Sequence, residues 1–431
     1  MDLALRVSHY IDPAFRLHRD VTVLVQDGLV AQVIPSVGTV LRSLAPAALD
    51  LGRALCLPGF VNAHAHLDLS HLWRQVPRGL AFHEWVPAVV AARTLPATMI
   101  EGGIEDACRM LVAGGTTAVL DVSVGGNSAA ALSRHGLRGT VALEVLGFDP
   151  AGADAAMQRA DEVIRARFEL DRERLGADAG NADAPAAPGG VGFGYSPHAP
   201  YSTSADLFRH AFGRACGEGR VCTTHAAETP EETRFLQDGT GPLRELLQRF
   251  GVKLDGFHGF GAGALELLLG DWLAPWLAEA NPHLVLVHCN YPGPAGLELL
   301  ARTRPSVCYC PRSHAWFDHQ PWPAQAMLEA GVNLVLGTDS LASNEGLDPL
   351  GELRVAATAH PAVPLETWFR AATVNGRTAL GIAPEAADLT AWVLPVGCEP
   401  TTTAEALDML LREGPPLLAG VSQGAVIARS V

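Results

Sequence analysis

The stretch LPGFVNAHAH, residues 57–66, has the pattern of a short apolar strand that ends in two histidines, His64 and His66. Side chains in a strand alternate between its two faces, so residues two apart point the same way, with Cα atoms about 6.5 Å apart. Two imidazoles at one strand end can bind a single metal ion, and zinc takes neutral imidazole nitrogens as ligands. Histidines also occur as hydrogen-bonded core or surface residues, so the pair by itself does not establish a site.

Four later apolar runs end in a similar way, with a histidine, an acid or a polar pair. These runs are VCTTHAAE at 221–228, LVLVH at 284–288, VCYCPRSH at 307–314 and VNLVLGTDS at 332–340. Buried parallel strands are short aliphatic runs, and the functional side chains of α/β barrels gather at the carboxyl ends of the strands. Core packing does not explain five such ends in succession, so we interpret them as parts of one site.

Strand-like runs alternate with helix-like segments from about residue 58 to residue 380, which predicts βα units around a parallel sheet. Eight strands with intervening helices favour a closed barrel over an open sheet. We expect the strands near residues 57–63, 116–122, 140–147, 191–197, 220–224, 284–288, 306–310 and 333–338.

Both ends of the chain carry strand patterns outside this repeat. Asp27-Gly28 lies between two β-rich runs and is a strong hairpin signal. Runs at 387–394 and 424–428 could pair with that hairpin to form a small β domain. The predicted division is an N-terminal part of the β domain (1–57), the barrel (58–380) and a C-terminal part of the β domain (381–431).

The composition is that of a compact enzyme, with 48% hydrophobic and 18% charged residues in a chain of 431. A formal net charge of −15 without a basic cluster argues against a nucleic-acid partner. The chain has no run of about 20 apolar residues, so we expect no membrane span. The start MDLALR lacks the basic-then-apolar layout of a secretory signal. We expect a cytoplasmic protein that acts on a small molecule. The sequence leaves open whether the protein forms a homodimer.

Four of these motifs together resemble the amidohydrolase superfamily: PGFVNAHAH (58–66), THAAE (224–228), VHC (287–289) and LGTDSLASN (336–344). The resemblance extends from the N-terminal hairpin to about residue 395. It points to the deaminase branch, with adenosylhomocysteine, guanine and aminodeoxyfutalosine deaminases and the triazine chlorohydrolases. It implies an α/β fold, a distorted (β/α)8 TIM barrel with a small flanking β-sandwich domain built from both chain ends. It also implies a metal held by His64, His66, His225 and Asp339.

The chemistry of these residue types suits the implied metal site. Three imidazoles and one carboxylate bind a divalent ion and leave one position open for water. Water bound to zinc can have a pKa of about 7, which makes hydroxide available at neutral pH. We expect one divalent ion and favour zinc over iron, while the same ligands suit both metals.

Three residues are predicted to act in catalysis. Glu228 follows His225 by three residues, and this spacing favours a proton shuttle over a solvated loop acid, which is how we interpret Glu231 and Glu232. We expect His288 to hydrogen-bond the attacking water or the developing tetrahedral oxygen. Asp339 is expected both to bind the metal and to accept a proton.

The chain contains one lysine, Lys253, which lies between the fifth and sixth predicted strands. Binuclear relatives in the superfamily bridge two metals with a carboxylated lysine at the end of strand four. Here the fourth predicted strand ends in YSPHAPYS, residues 195–202, which contains no lysine. We therefore expect one metal, and phosphotriesterase-like or dihydroorotase-like chemistry is disfavoured.

Four residues are candidates for contact with the substrate. His198 resembles a family position that contacts substrate, and the alternative is a histidine that caps the following turn. Trp85 resembles a substrate-stacking tryptophan, and a core position explains it equally well. Ser313 and His314 follow the seventh predicted strand, where they could hold a polar group of the substrate.

These features together predict a mononuclear metal-dependent aminohydrolase that deaminates an aminopurine or related N-heterocycle through a metal-bound hydroxide. The runs HLDLS at 66–70 and CPRSH at 310–314 resemble aminodeoxyfutalosine deaminases, so an adenine nucleoside derivative is the first candidate substrate. One alternative is hydrolysis of a cyclic amide or a carbon–halogen bond, as in imidazolonepropionases or triazine chlorohydrolases. Another is a catalytically inactive barrel that serves as a scaffold.

Overall fold

Two eight-stranded sheets organise the molecule, one a parallel barrel and the other a mixed sheet that contains both ends of the chain. The computed structural model describes residues 1–36, 40–92, 95–175, 190–277 and 283–429. The strands are β1 (Leu3–Ile11), β2 (Leu17–Gln26), β3 (Leu29–Pro35), β4 (Ala47–Asp50), β5 (Ala54–Pro58), β6 (Phe60–Ala65), β7 (Thr116–Ser123), β8 (Arg138–Val145), β9 (Val191–Pro197), β10 (Cys222–Ala226), β11 (Leu284–His288), β12 (Ser306–Tyr309), β13 (Asn333–Leu336), β14 (Leu389–Val393), β15 (Leu417–Ser422) and β16 (Ala425–Arg429).

The helices are arranged mainly between the barrel strands. They are α1 (Phe82–Ala92), α2 (Ala97–Ala113), α3 (Ala129–Arg134), α4 (Ala153–Leu175), α5 (Ala205–Glu218), α6 (Pro230–Asp238), α7 (Pro242–Arg249), α8 (Ala264–Leu267), α9 (Ala274–Leu277), α10 (Gly293–Thr303), α11 (Pro311–Trp316), α12 (Ala324–Glu329), α13 (Pro349–Ala359), α14 (Leu365–Ala371), α15 (Val374–Ala379) and α16 (Thr403–Glu413). In the part of the chain that the structure describes, none of them combines the length and the apolar character that crossing a membrane requires.

Strands β6 to β13 form the barrel, and each is parallel to the next along the chain. The barrel closes between its first and last strands, where the backbone N–H groups of Thr338 and Asp339 both donate to the carbonyl oxygen of His64 at 3.0 Å. Asn62 braces the same seam, because its side-chain amide donates to the Thr338 hydroxyl at 2.7 Å. The prediction of a (β/α)8 barrel with a flanking β domain from both chain ends is confirmed.

Alternation along the strands decides which side chains enter the barrel. Val221 and Val335 belong to one buried cluster of small and β-branched side chains. Residues two and four apart in a strand share a face, so His225 prolongs the row that begins at Val221. Asp339 lies four residues beyond Val335 in the same way. Apolar rows in two strands thus end in two of the implied metal ligands.

The chain passes from the flanking sheet to the barrel at Gly59, between β5 and β6. The sequence predicted one strand over 57–63, whereas the structure has two strands in different sheets. A Cβ at position 59 would lie 2.4 Å from side-chain atoms of Thr117. The close approach of the two segments therefore requires glycine, and the short Pro-Gly break redirects the chain.

The flanking sheet has the strand order β16-β15-β14-β5-β1-β2-β3, with β4 paired to β1. β5 pairs with β14 in antiparallel orientation, which joins the two ends of the chain. The predicted hairpin is present: Gln26 pairs with Leu29, and the turn residues Asp27 and Gly28 have φ values of 52° and 73°. Positive φ at both positions is the requirement of a type I′ turn.

Candidate active site

Four buried imidazoles meet at the carboxyl end of the barrel. The ring of His64 lies 4.8 Å from that of His66 and 5.0 Å from that of His225, measured between centroids. The His288 ring lies 5.8 Å from His64 and 5.5 Å from His225. The Nε2 atoms of His66 and His225 are 3.3 Å apart. Such spacings suit nitrogen atoms that face one shared ion.

A carboxylate completes this group. Asp339 Oδ1 lies 3.5 Å from His64 Nε2 and 3.7 Å from His66 Nε2. The other oxygen, Oδ2, accepts hydrogen bonds from the hydroxyls of Ser313 at 2.6 Å and Ser343 at 3.0 Å. These two bonds hold the carboxylate so that Oδ1 stays directed at the imidazoles.

The donor atoms fit a metal ion. Possible ligand atoms of His64, His225 and His288 lie within 4.8 Å of one another, and so do those of His64, His66 and Asp339. Both groups contain His64, so they describe one centre. Neither ring nitrogen of the fully buried His64 forms a hydrogen bond within the described residues. Buried polar atoms normally have partners, and a divalent ion bound by imidazole and carboxylate would supply one.

The backbone orients one of these rings directly. His225 Nδ1 donates to the carbonyl oxygen of His198 at 2.9 Å, and the backbone N–H of His225 donates to the same oxygen at 2.9 Å. A hydrogen bond from one ring nitrogen fixes the tautomer of a metal-binding histidine. Nε2 of His225 is thereby left as the acceptor that faces the centre.

Several residues at the centre have left-handed backbone conformations, with φ of 52° at Ala227, 70° at His288, 47° at Cys289 and 59° at Asp339. Residues other than glycine rarely adopt such values, and those that do cluster at functional sites. Strand alternation would turn His288 away from the face that Val287 occupies. The positive φ of His288 redirects the chain and brings its ring to the centre.

Glu228 lies beside the imidazole group. Its Oε1 is 3.4 Å from His288 Nε2, and its backbone carbonyl accepts a hydrogen bond from the side chain of Asn290 at 3.0 Å. Its backbone N–H donates to Glu232 Oε2 at 2.7 Å. The expectation that Glu232 is a solvated loop acid is wrong, since this side chain is 1% exposed. The Thr229 cap that begins α6 turns Glu232 inward, where it accepts the Glu228 N–H.

Two buried acids of the site have pKa values displaced in opposite directions. Burial raises the pKa of Glu228 well above its usual value, and the carboxyl groups of Asp339 and Glu232 raise it further. Burial alone would also raise the pKa of Asp339, but the neighbouring imidazoles, with His64 foremost, hold that pKa well below its usual range. Acids with separated pKa values can divide acid and base roles between them.

The imidazoles of His225 and His288 are held in their neutral form. Burial lowers the pKa of His288 to about 3. Burial also lowers the pKa of His225 far below its usual value, and the nearby imidazoles, His198 first among them, lower it further. Neutral imidazole is the form that binds metals, so the electrostatics agree with the geometry.

A cavity of about 390 Å³ opens beside this group. His66, His225, Glu228, His288 and Asp339 all line it. Two of the four predicted substrate contacts, His198 and Trp85, lie in its wall. The Trp85 indole N–H donates to the carbonyl oxygen of Ala342 at 3.1 Å, and its ring packs on Phe82 with centroids 6.0 Å apart.

The other two predicted contacts are not in the described lining of the cavity. Ser313 instead donates to Asp339, so it positions a ligand of the implied metal. His314 packs on Tyr309 and His319, with ring centroids 5.6 Å and 5.3 Å away. Both follow β12 and lie in α11, which begins at Pro311.

Sequence reasoning missed several residues of the wall. Glu144 is the second-last residue of β8 and lines the cavity. The available signal was an acid near the end of the apolar run VALEV, residues 141–145, which resembles the acids and histidines at the other strand ends. Tyr201, Phe148 and Phe250 also line the cavity. Since these aromatic residues lie in connections between elements, no strand or helix pattern marked them.

The model of the amidohydrolase family matches residues 55–403 of the chain. The aminodeoxyfutalosine deaminase of Deinococcus radiodurans is 31% identical over 361 residues, which cover 79% of this chain and 77% of that relative. A 5-methylthioadenosine/S-adenosylhomocysteine deaminase of Thermococcus onnurineus is 27% identical over 373 residues, which cover 84% of this chain and 76% of that relative.

A solved structure of atrazine chlorohydrolase from Arthrobacter aurescens, complexed with zinc, superposes with a TM-score of 0.73. The superposition covers 99% of this chain and 95% of that one at 20% sequence identity. At this identity the likeness shows the fold, including the flanking sheet as well as the barrel.

Proposed function

The chain belongs to the amidohydrolase family and is a hydrolase of carbon–nitrogen bonds, and from this premise we propose that it is a mononuclear metal-dependent deaminase of an aminopurine or related N-heterocycle. The observation that carries the proposal is the position of Glu228, buried at the edge of the imidazole group with Oε1 3.4 Å from His288 Nε2. Deamination needs a group that moves protons at the reacting carbon, and Glu228 lies where it can do so.

His64, His66, His225 and Asp339 would hold the metal, which we propose to be zinc because the donor set is rich in imidazole. When bound, a divalent ion lowers the pKa of water to about 7 and so makes hydroxide available near neutral pH. His288 is within reach of the same centre and is left to act on the substrate side.

The proposed proton transfers agree with the directions in which the pKa values of Glu228 and Asp339 are displaced. In this proposal Glu228, whose pKa burial raises well above its usual value, donates a proton to the ring nitrogen next to the carbon that bears the amino group. Asp339, ionised, accepts one proton from the attacking water and returns it to the amino group, which leaves as ammonia. Glu228 takes the second proton of the water as the carbonyl forms, so the site returns to its starting state. Neutral His288 donates an N–H to the developing oxygen.

An adenine nucleoside derivative is the first substrate to test. The names of the relatives, an aminodeoxyfutalosine deaminase and a 5-methylthioadenosine/S-adenosylhomocysteine deaminase, support this class. The cavity of about 390 Å³ falls within the range of small-molecule sites. A base that reaches Glu228 would leave the remaining volume for the rest of the nucleoside.

The test is ammonia release by the zinc-loaded protein from a panel of adenine nucleosides, guanine, cytosine and triazines, with metal counted per chain. Ammonia from one class at about one metal per chain is the expected result. Chloride from a chlorotriazine, or a ring-opened acid from a cyclic amide, in place of ammonia would replace deamination with the alternative chemistry. Absence of bound metal would contradict the proposed centre and favour a scaffold.

A further inference from the structure

The chain makes a sharp turn at His288, where β11 ends. The backbone N–H of Cys289 donates to the carbonyl oxygen of Val287 at 3.1 Å and also to that of Ala226 at 3.0 Å. A hydrogen bond between residues two apart, with a φ of 70° at the residue between them, is the pattern of the γ-turn with positive φ, which is rare and strained. Strained backbone of this kind persists where the surrounding structure holds it.

The buried carbonyl oxygen of His288 needs a hydrogen-bond donor at this turn, because buried backbone groups are costly to leave unpaired. The pairing register of β11 with β12 ends at Val287 and Cys308, one residue before His288. The donor comes from a side chain instead, since the indole N–H of Trp322 donates to the His288 carbonyl oxygen at 2.8 Å. Trp322 thus supplies a bond that strand pairing no longer provides.

Trp322 is itself held rigidly. It lies between Pro321 and Pro323, and proline restricts both its own φ and the conformation of the residue before it. Trp322 is 2% exposed, and its indole stacks on the ring of Tyr309 with centroids 4.4 Å apart and an interplanar angle of 16°. Tyr309 is the last residue of β12, so the indole is fixed to the barrel.

The His288 imidazole depends on the backbone that this bond holds. Its Nε2 atom lies 3.4 Å from Glu228 Oε1, and its ring centroid lies 5.8 Å from that of His64 and 5.5 Å from that of His225. Groups that act in catalysis must stay within about 0.5 Å of their productive geometry. A rotation of the His288 peptide would move the ring relative to all three of these groups.

We propose that Trp322 is a positioning residue, which directs the His288 imidazole at the reacting atoms through its hydrogen bond to the His288 carbonyl. Trp322 is not among the described residues that line the cavity, so its effect on the reaction passes through His288. The inference rests on the proposed function for the role of the imidazole. The orientation of that ring is a property of the fold and can be measured separately.

Trp368 offers a matched control. It is 0% exposed and packs on the same Tyr309 ring, with centroids 6.0 Å apart. Its indole N–H has no hydrogen-bond partner among the residues that the structure describes. Trp322→Phe and Trp368→Phe therefore remove the same atoms from two buried positions around one ring, and only the first removes the bond to His288.

The first measurement is of kcat, KM and metal content in the zinc-loaded variants, with the adenine nucleoside that the wild-type protein deaminates. Trp322→Phe should lower kcat about tenfold with KM and metal content little changed, because a small displacement of a catalytic group costs rate. Trp368→Phe should keep kcat within about twofold of the wild-type value. Melting temperatures of both variants show what each loses in stability.

A second substitution removes the N–H without a change of shape. Replacing Trp322 with benzothienylalanine, in which sulfur takes the place of the indole N–H, should reproduce the loss of kcat. This variant keeps the stack on Tyr309, so it serves where Trp322→Phe fails to fold.

A further readout does not depend on turnover. NMR spectra of the zinc-loaded protein with isotope-labelled histidine rings report on the surroundings of His288, whose signal is assigned by its loss in His288→Gln. The benzothienylalanine variant should shift this signal, whereas Trp368→Phe should leave it in place. Since benzothienylalanine retains an aromatic ring of the same size, a shift reports on the lost bond.

The positioning role is overturned by a normal kcat in both Trp322 variants, by equal losses of kcat in Trp322→Phe and Trp368→Phe, or by an unchanged His288 signal. A shifted His288 signal in a protein whose wild type releases no ammonia from any nucleoside would sustain the positioning by Trp322 and overturn the proposed deamination. Ammonia release that neither Trp322 variant alters would do the reverse.

Discussion

The carboxyl end of the barrel and the flanking sheet both contain buried strand positions, but they fill those positions with different chemistry. In the flanking sheet the buried cluster is apolar and includes Leu5, Val23 and Leu389. At the barrel end the buried positions hold His64 and Asp339, which are 0% and 6% exposed, next to further imidazoles and acids.

This difference separates stability from function. Burying polar groups is unfavourable unless they find partners, whereas apolar burial stabilises the fold. The barrel end therefore carries groups that the fold does not need, and the flanking sheet carries groups that the chemistry does not need. Substitutions at the barrel end should change metal content and turnover, and substitutions in the flanking sheet should change the free energy of unfolding.

The largest effect on activity is expected from removal of a metal ligand. Asp339→Ala or His64→Ala should lower bound metal well below one per chain and reduce turnover by about 10³-fold or more. Metal analysis of the purified variants checks this. The control is His210→Ala, at a side chain 45% exposed and paired with Asp154. Full metal retention in Asp339→Ala would remove that residue from the ligand set.

The next effect separates proton transfer from metal binding. Glu228→Gln should leave metal content unchanged while turnover falls at least about 10²-fold, because the amide cannot carry the proton. Steady-state kinetics and metal analysis on the same sample test the expected turnover and the expected metal content. Glu231→Gln, three residues along the chain, is the matched control with near-normal rates. Near-normal turnover in Glu228→Gln would show that another group moves the proton.

A smaller effect is expected where one partner of Asp339 is removed. Ser313→Ala should lower kcat about tenfold with KM little changed, because Ser343 still donates to the same oxygen and a bond to a charged group contributes about 1.5–3 kcal/mol. The split between kcat and KM is the measurement. A raised KM with normal kcat would instead support the prediction from sequence that Ser313 contacts the substrate.

The smallest effect on activity is expected from a substitution in the flanking sheet. Leu5→Ala removes a side chain that is 1% exposed, so the free energy of unfolding should fall by about 2–5 kcal/mol. Metal content and kcat should stay near normal at temperatures where the variant is folded. Denaturant unfolding and kinetics on one preparation test the comparison directly, and a tenfold loss of kcat would show that the two regions are coupled.

The family could be predicted from the sequence because its motifs are local patterns of residues. The resemblance to the amidohydrolase superfamily is confirmed by the family match over residues 55–403. The Asp27-Gly28 hairpin and the barrel strands also follow from local signals, namely turn residues and short aliphatic runs. The roles assigned to Glu228, His288 and the four ligands remain predictions that the variants above test.

Local patterns failed where partners distant in sequence decide the outcome. Between the runs at 387–394 and 424–428 the sequence indicates no strand, yet α16 and β15 lie there, and β15 is held by pairing with β14 and β16. Glu232 looked like a solvated acid, and the N–H of Glu228 gives it a buried partner instead. The Ser313 hydroxyl donates to Asp339, a contact that no local pattern indicated, and contact of Ser313 with the substrate stays a prediction.

The sequence by itself determined the parallel barrel, the histidines and acids at its strand ends, and the single lysine that argues for one metal, since periodicity and residue type need no knowledge of the fold. Only the tertiary structure decided how these groups meet. The seam between His64 and Asp339, the approach of His288 to Glu228 and the contact of α1 with α7 each join residues far apart in the chain. Distances between such residues are set by packing and barrel closure, which no local pattern encodes.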